Sequence, residues 1–369
     1  MSATLRARQL GLSLVEVMVA VVIGLIGILV ITQAYVTSDN FNRSTLGEGG
    51  AQMNGLVALY SLERDTRMAG WGINNSGALG CGNIAWYYDP DYSASAGGSL
   101  PNITLAPVVI TVDTVTPANP DQITVMYSSD GERMLPTTIA SFNASSSEVS
   151  VDGTDGFSAG DLVLLVNGGG CTLGKITQVQ TVAQKLQLNP GVSAPYNPPA
   201  WGSFPNSTYG SGDSILNLGN PTLRTFLIGN GKLRVSETLL SAGASTPTDL
   251  VDGIVDLRAL YGKDTDDNNA VDTYNTTTPA TSAAWLQVLS VKVGILARIG
   301  TYEKKSAGAT ECDATTAVPT WSGSTAAGQI TVANPFRAIS VASGSEDRCY
   351  RYRVFETTVP LRNMIWRLS

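Results

Sequence analysis

The N-terminal part of the chain contains the stretch Gly11-Leu12-Ser13-Leu14-Val15-Glu16, followed at residues 17–38 by VMVAVVIGLIGILVITQAYVTS. The apolar run is long enough to cross about 30 Å of hydrocarbon as a helix. Glu16 is a carboxylate just inside this apolar stretch, where ionisable groups are costly and usually functional. The stretch therefore predicts a membrane-spanning helix with a functional acid at its start.

The leader before this run is polar and carries Arg6 and Arg8 but no acid. In a secretory signal peptide, a small-residue cleavage site follows the apolar region. Here the small residue, Gly11, precedes the apolar region, and no such site follows it. The leader therefore differs from a secretory signal. An ordinary signal anchor with a stray glutamate remains the alternative.

The amino-acid composition excludes several classes of function for the rest of the chain. The protein has 369 residues, a net charge of −7 and no histidine. An acidic chain without a dense basic cluster is a poor nucleic-acid binder, because such binding depends on phosphate neutralisation. Without histidine, Ser-His-Asp and Cys-His nucleophiles, histidine bases and histidine metal sites are excluded. The length allows one large or two smaller domains.

All four cysteines lie beyond the apolar run, and none forms a CxxC pair. In an oxidising compartment, two disulfides are expected, with three possible connectivities. Pairing between the cysteines nearest in sequence is favoured over the other two connectivities. It joins Cys81 to Cys171 and Cys312 to Cys349. Four free buried thiols are the alternative.

The helix is expected to continue after the membrane segment, over residues 39–71. Met53, Leu56, Val57 and Tyr60 recur at helical spacing and predict an apolar face. Three glycines at positions 47, 49 and 50 predict a break, a stretch of loose helix or a melted turn near residues 44–50, since each weakens a helix by about 1 kcal/mol. The break would let the anchor and the body tilt, or it would be a simple linker.

From residue 72 to residue 369 the chain is rich in Gly, Ser, Thr and Asn, and its apolar runs have strand length. Asn230-Gly231 predicts a tight hairpin turn. The fold class is therefore α+β, with a long N-terminal helix on an antiparallel β-sheet body. A Pro- and Gly-rich segment at 185–222 is a candidate boundary between two β lobes. The predicted strands are 108–112, 122–127, 162–166, 175–182, 224–228, 232–235, 285–299, 330–332 and 350–361.

One loop has the ligand spacing of a calcium site. Asp264, Asp266, Asn268 and Asp272 occupy positions 1, 3, 5 and 9 of a calcium-binding loop. Asn269 stands where glycine usually makes the sharp turn, and position 12 lacks the bidentate glutamate. A complete EF-hand is thus excluded, and the choice lies between a β-loop Ca²⁺ site and a solvated acidic turn.

A second glycine-rich segment, at 169–175, nearly matches a phosphate-binding loop. It fails at Ile176, where a hydroxyl should meet magnesium. The residues that follow alternate like a strand, whereas phosphate binding needs a helix N-terminus. A hairpin carrying a disulfide cysteine is the better interpretation.

The leader, Glu16 and the apolar helix together resemble the class III signal of type IV pilins and pseudopilins. The resemblance implies that prepilin peptidase removes residues 1–11 by cutting after Gly11, and that the new amino group of Leu12 is methylated. It also implies that Glu16 meets the N-terminal amine of a neighbouring subunit during assembly. The chain departs from the family in having Leu12 where Phe is commoner, and Gln33 where a helix-kinking Pro is frequent.

Segments farther along resemble the large minor pilins of the PilW family. They include Leu62–Gly70, Val251–Ile254 leading to Tyr261-Gly262, and Val359–Asn363. This resemblance implies a non-enzymatic subunit. Before assembly it would be anchored in the inner membrane with its body in the periplasm, and after assembly it would lie at the pilus tip. The implied partners are other minor pilins, the major pilin, a tip adhesin, prepilin peptidase and the inner-membrane assembly platform.

Two other functions stay open on the sequence alone. A type II secretion pseudopilin would share the leader, Glu16 and the β body. A membrane-anchored periplasmic enzyme would need a carboxylate or Ser-Lys site, and the sequence points to none.

Overall fold

The computed structural model describes residues 13–73, 78–82, 84–89, 103–113, 119–128, 135–168, 170–204, 208–237, 246–305 and 308–365. The chain divides into two units, residues 1–50 and residues 51–369. The sheets and hydrophobic cores described below belong to the second unit.

The first element is a long helix, α1 (Leu14–Met68). Residues 44–50 are helical, so the predicted break is wrong. Glycine lowers helix stability but adopts helical backbone angles freely, and turns on both sides propagate through it. The helix ends before Gly70, whose φ of +81° supplies the left-handed residue that commonly stops a helix.

The outer part of α1, from residue 51 onwards, has two different apolar faces. Two alanines and one leucine are buried on one face: Ala51, Ala58 and Leu62. The predicted apolar face lies on the other side, where Met53 is 64% exposed, Leu56 50% and Tyr60 66%. The predicted helical spacing of these residues is confirmed, and the stripe is exposed. The face that contacts the sheet contains small residues such as Ala58, because they let the helix backbone approach the strands closely.

Sixteen strands and two short helices follow α1 within the described residues. The strands are β1 (Val108–Thr111), β2 (Gln122–Ser128), β3 (Thr137–Asn143), β4 (Glu148–Val151), β5 (Leu162–Asn167), β6 (Gly170–Lys175), β7 (Gln178–Gln180), β8 (Lys185–Gln187), β9 (Ser214–Gly219), β10 (Pro221–Gly229), β11 (Lys232–Glu237), β12 (Thr248–Asp252), β13 (Ile254–Lys263), β14 (Thr273–Asn275), β15 (Val288–Arg298) and β16 (Tyr352–Pro360). The helices are α2 (Ser282–Leu286) and α3 (Arg362–Ile365), and 3-10 turns cover Trp201–Ser203 and Glu346–Cys349.

These strands form three antiparallel sheets. One has the order β1-β2-β10-β11-β12, a second β14-β13-β15-β16, and a third β6-β5-β9-β3-β4-β8-β7. The predicted α+β class is confirmed. The Asn230-Gly231 hairpin joins β10 to β11, and both residues have positive φ as the turn requires.

Some strand predictions need correction. Residues 175–182 contain the end of β6 and the short β7, because Ile176 and Thr177 interrupt the pairing. Residues 330–332 form no strand and only bridge to Tyr274. The segment 185–222 supplies β8 and β9 to the seven-stranded sheet, and the chain passes from that sheet to β10 of the five-stranded sheet at its end. Residues 170–175 are a strand, so the geometry of a phosphate-binding loop is absent there.

The main core lies between the outer part of α1 and the five- and four-stranded sheets. Ala58 and Leu62 pack there with strand residues such as Val125, Val291 and Val293. Gly55 faces Phe355 so closely that a Cβ at this position would lie 2.1 Å from the ring. The helix can therefore contact the sheet this closely only with glycine at position 55.

A long irregular segment between β15 and β16 covers the other face of these strands. Its Trp321 is buried with Leu260, Leu296 and Phe336. The Trp321 indole donates a hydrogen bond to the carbonyl of Asn334 at 2.8 Å. Burial of the indole and its hydrogen bond hold the segment in place without regular secondary structure.

A buried polar network ties this segment to β13. Asn334 donates to Asp121 Oδ2 at 2.6 Å, and the backbone N–H groups of Arg337 and Ala338 donate to Asp256 Oδ2 at 2.7 and 2.9 Å. Arg258 supplies the compensating positive charge and is fully buried. Buried carboxylates are tolerated because each accepts several hydrogen bonds.

Candidate assembly, disulfide and metal sites

The predicted processing residues Gly11 and Leu12 lie outside the described residues. The first described residue is Ser13, whose hydroxyl accepts a hydrogen bond from the backbone N–H of Glu16 at 3.3 Å. Ser13 therefore caps α1, as serine commonly does at a helix N-terminus. Glu16 lies in the first helical turn, where the helix dipole favours a negative charge.

Glu16 is exposed in the isolated chain and makes no ion pair with any residue described in the first unit. The apolar side chains around it, such as Leu14, Val15 and Val17, are also exposed. The segment Leu14–Asp39 is long and apolar enough to cross a membrane. An uncompensated carboxylate charge in lipid is penalised, so Glu16 is costly in these surroundings unless it is paired or protonated.

Close helix packing is possible along this segment. A Cβ added at Gly24 or Gly27 would meet no atom within 4 Å in the single chain. Small residues of this kind let the backbones of two membrane helices approach each other. The two glycines therefore leave space for close lateral packing of this helix.

Both predicted disulfides are present. Cys81 pairs with Cys171 and Cys312 pairs with Cys349, as favoured from the sequence. The first joins the chain after α1 to β6 of the seven-stranded sheet. The second joins the start of the irregular segment to the turn before β16. The pairing in the structure leaves no cysteine free.

The acidic loop connects β13 to β14 and brings three of its predicted ligands together. One carboxylate oxygen each from Asp264, Asp266 and Asp272 lie within 4.8 Å of one another. Asp264 is buried, with 4% of its surface exposed, whereas Asp266 is exposed. Asn269 has a φ of +65°, so it makes the turn that glycine makes in calcium loops.

Hydrogen bonds within the loop fix these carboxylates in place. Asp264 accepts the backbone N–H groups of Asn268 and Asn269 at 3.1 and 2.7 Å. Asp272 Oδ2 accepts the backbone N–H and hydroxyl of Thr265 at 2.6 and 3.0 Å, and these bonds hold the pKa of Asp272 below its ordinary value. Asp272 is therefore ionised at neutral pH.

The fourth predicted ligand is differently engaged. The side-chain oxygen of Asn268 accepts a hydrogen bond from the backbone N–H of Ala270 at 2.7 Å. Its amide nitrogen donates to Asp266 Oδ2 at 3.0 Å. The three carboxylates are hard oxygen ligands of the type that Ca²⁺ prefers, and Asn268 would have to exchange a backbone hydrogen bond to join them.

A groove that was not predicted from the sequence lies at the end of α1. Arg64 and Trp71 line it on one side, and Tyr127 and Arg362 on the other. Only folding brings these positions together, since they are far apart in the chain. No local motif announces them.

Comparison with protein families gives two matches. Residues 224–363 match the family described as Type IV Pilus-assembly protein W, and residues 6–32 match the Prokaryotic N-terminal methylation motif. The first match covers β10 to α3, including the acidic loop and the second disulfide. The second covers the leader end, Glu16 and most of the apolar span. No curated protein and no solved structure gives a significant match.

Proposed function

We propose that the chain is a PilW-type minor pilin of type IV pili and that it joins other minor pilins in a priming complex that starts filament growth. The observation that carries this proposal is the presence in one chain of the methylation signal and of the 224–363 match. PilW proteins are structural components of the pilus, in agreement with a non-enzymatic role. The apolar helix and the signal support anchoring in a membrane.

The proposed mechanism begins at the inner membrane. Prepilin peptidase cuts between Gly11 and Leu12, and the new N-terminus is methylated. The apolar helix holds the subunit with its β body in the periplasm until the assembly platform takes it up. Glu16 then pairs with the N-terminal amine of a neighbouring subunit, which removes two isolated charges from lipid. The assembled subunit lies near the pilus tip, between the major pilin and a tip adhesin.

The test is the number of surface pili on cells that lack this chain and carry wild type, Glu16→Gln or Glu16→Asp. We expect near-total loss on deletion, restoration by wild type, failure of the neutral Glu16→Gln and partial rescue by Glu16→Asp. Immunoblots of membrane fractions check that each variant is cleaved and present at the wild-type level.

A type II secretion pseudopilin is separated from this proposal by a second readout. The same deletion strain is assayed for export of type II secretion substrates. Full piliation with lost secretion would overturn the priming role and assign the chain to the secretion machine. Loss of neither would leave an anchored protein outside both machines.

We also propose that the acidic loop binds one Ca²⁺ through Asp264, Asp266 and Asp272. The proposal rests on three carboxylate oxygens within 4.8 Å and on the left-handed Asn269. The ion would supply a positive charge among the three carboxylates and fix the β13–β14 connection.

A further inference from the structure

A groove of about 830 Å³ lies at the end of α1, within the second unit. One wall is a helical stripe, spaced three and four residues apart, that includes Tyr60, Arg64 and Met68. The opposite wall comes from the end of β2, at Tyr127, and from the start of α3, at Arg362. The groove thus combines aromatic side chains with guanidinium groups, the residue types most enriched in the energetic centres of protein interfaces.

The walls of the groove are held by backbone contacts. The backbone N–H of Gly70 donates to the Met126 carbonyl at 2.9 Å, and that of Ser128 donates to the Trp71 carbonyl at 2.8 Å. The Asn363 amide donates to the last carbonyls of the helix, both at 3.1 Å. The groove is therefore preformed, which lowers the entropic cost of binding.

The charges around the groove are unbalanced. Arg67 pairs with Glu63, and Asp65 pairs with Arg224 at 3.2 Å. These pairs use both carboxylates that line the groove. Two guanidinium groups remain.

Arg64 and Arg362 are exposed and form no ion pair with a residue in the described part of the chain. They make a local positive site on a protein whose net charge is −7. Arginine binds carboxylates through two parallel hydrogen bonds, so two arginines that line one groove without an ion pair favour an acidic partner.

The exposed apolar face of α1 leads directly to this positive site. Tyr60 lies about one turn before Arg64 on the same side of the helix, and Leu56 lies about two turns before it. Exposed apolar side chains contiguous with a groove mark a protein-binding surface. The occupant therefore needs apolar side chains next to its carboxylate.

We propose that this groove binds an acidic segment of another pilin-type subunit, which places a carboxylate against Arg64 and Arg362 and an apolar side chain against Tyr60 and Trp71. The proposal rests on the proposed function, because it assigns the surface through which the priming complex would form. Charge complementarity favours a different subunit with a localised acidic segment. A second copy of this chain is the competing occupant.

The experiment mixes the full-length protein in detergent with each other pilin-type subunit of the same organism, one at a time. Three forms are compared: wild type, the double variant Arg64→Glu/Arg362→Glu, and the control Lys304→Glu, an exposed cation outside the groove. We expect one subunit to bind wild type and the control equally and to bind the double variant with a Kd at least about tenfold higher. Replacing the partner's acidic residues by lysine should restore binding to the double variant.

Thermal unfolding and circular dichroism check that the double variant is folded, as expected for two exposed side chains. Equal binding of every subunit by wild type and double variant would overturn the proposal. So would charge-sensitive binding that occurs only between copies of this chain. If deletion abolishes pili while the double variant restores them fully, the groove assignment fails and the priming function stands; if deletion leaves pili unchanged, the function itself fails.

Discussion

Arg258 Nη1 donates a hydrogen bond to Asp121 Oδ1 at 3.2 Å, although 137 residues separate the two in the chain. Both side chains are almost completely inaccessible to solvent. Arg258 also contacts Asp256 on its own strand. Burial raises the pKa of Asp121 and of Asp256, and the attraction of Arg258 opposes that rise. The single positive charge of Arg258 thus compensates part of the negative charge of Asp121, which precedes β2, and of Asp256 on β13.

We expect Arg258→Met to destabilise the protein by about 3–5 kcal/mol, because it leaves two buried carboxylates without their cation. Urea unfolding of the full-length protein in detergent measures this free energy. The control is Arg234→Met, which removes a partly exposed ion pair with Asp249 and should cost less than about 1 kcal/mol. Equal losses in the two variants would contradict a special role for the buried charge.

The same variant should show a characteristic pH dependence. Without Arg258, the raised pKa values of Asp121 and Asp256 rise further in the folded state. Between the ordinary value of 3.8 and the raised value, the folded state then binds more protons than the unfolded chain, so stability falls as pH rises. The deficit of Arg258→Met relative to wild type should therefore shrink as the pH is lowered. A deficit that does not change with pH would show that the lost stability comes from packing alone.

Gly55 should resist replacement by alanine. A Cβ there would lie 2.1 Å from Phe355 Cε2, and the crowding should cost about 1–2 kcal/mol even though alanine favours the helix. In a Phe355→Leu background the penalty should largely disappear, which a double-mutant cycle measures. Gly49→Ala is the control, because its Cβ meets no atom within 4 Å, and it should be neutral or stabilising. A penalty that persists without the ring would locate the strain elsewhere.

The two disulfides should differ slightly in their contributions. Their sequence separations are 90 for Cys81–Cys171 and 37 for Cys312–Cys349. Loop entropy gives about 4 to 5 kcal/mol for each, with the longer loop giving about 0.8 kcal/mol more. Paired serine replacements, followed by denaturant unfolding under oxidising conditions, test this order. The reverse order would mean that the shorter link also stabilises the native irregular segment.

Calcium binding by the acidic loop is testable with two variants of the same charge. Asp266→Asn removes a member of the carboxylate cluster, whereas Asp267→Asn removes a neighbouring carboxylate outside the cluster. Isothermal titration with CaCl₂, after EGTA treatment and dialysis, should show binding by wild type and Asp267→Asn and its loss in Asp266→Asn. If wild type, Asp266→Asn and Asp267→Asn give the same heat of Ca²⁺ binding, the carboxylate cluster is not the binding site and the loop is a solvated turn.

The sequence predicted the elements whose local chemistry is strong. The apolar run, the Asn230-Gly231 turn and the acidic loop each carry a pattern that depends on few distant contacts. The ten-residue β13 was missed because the buried Asp256 and Arg258 interrupt its apolar pattern. Strands β3, β4 and β9 were also missed, and β4 has only four residues. Their burial comes from neighbours in the seven-stranded sheet, which no local pattern announces.

Helix periodicity shows why the binding surface could not be predicted. Periodicity identified Met53, Leu56 and Tyr60 as one face, but it does not say what covers that face. Ala58 and Leu62 contact the sheet instead, because alanine allows the helix to approach the strands more closely than larger side chains do. The positive site at Arg64 and Arg362 depends on the long-range folding that brings the start of α3 to the end of α1.

The two faces of α1 have a genetic consequence. Alleles at Ala58 or Leu62 change the core, so the cell should hold less of the protein and its pili should decline with abundance. Alleles at Leu56 or Tyr60 leave folding intact, so a full amount of protein should accumulate without partners. Neighbouring codons of one helix would then fall into two phenotypic classes, and the alternation between them would trace the helical period along the gene.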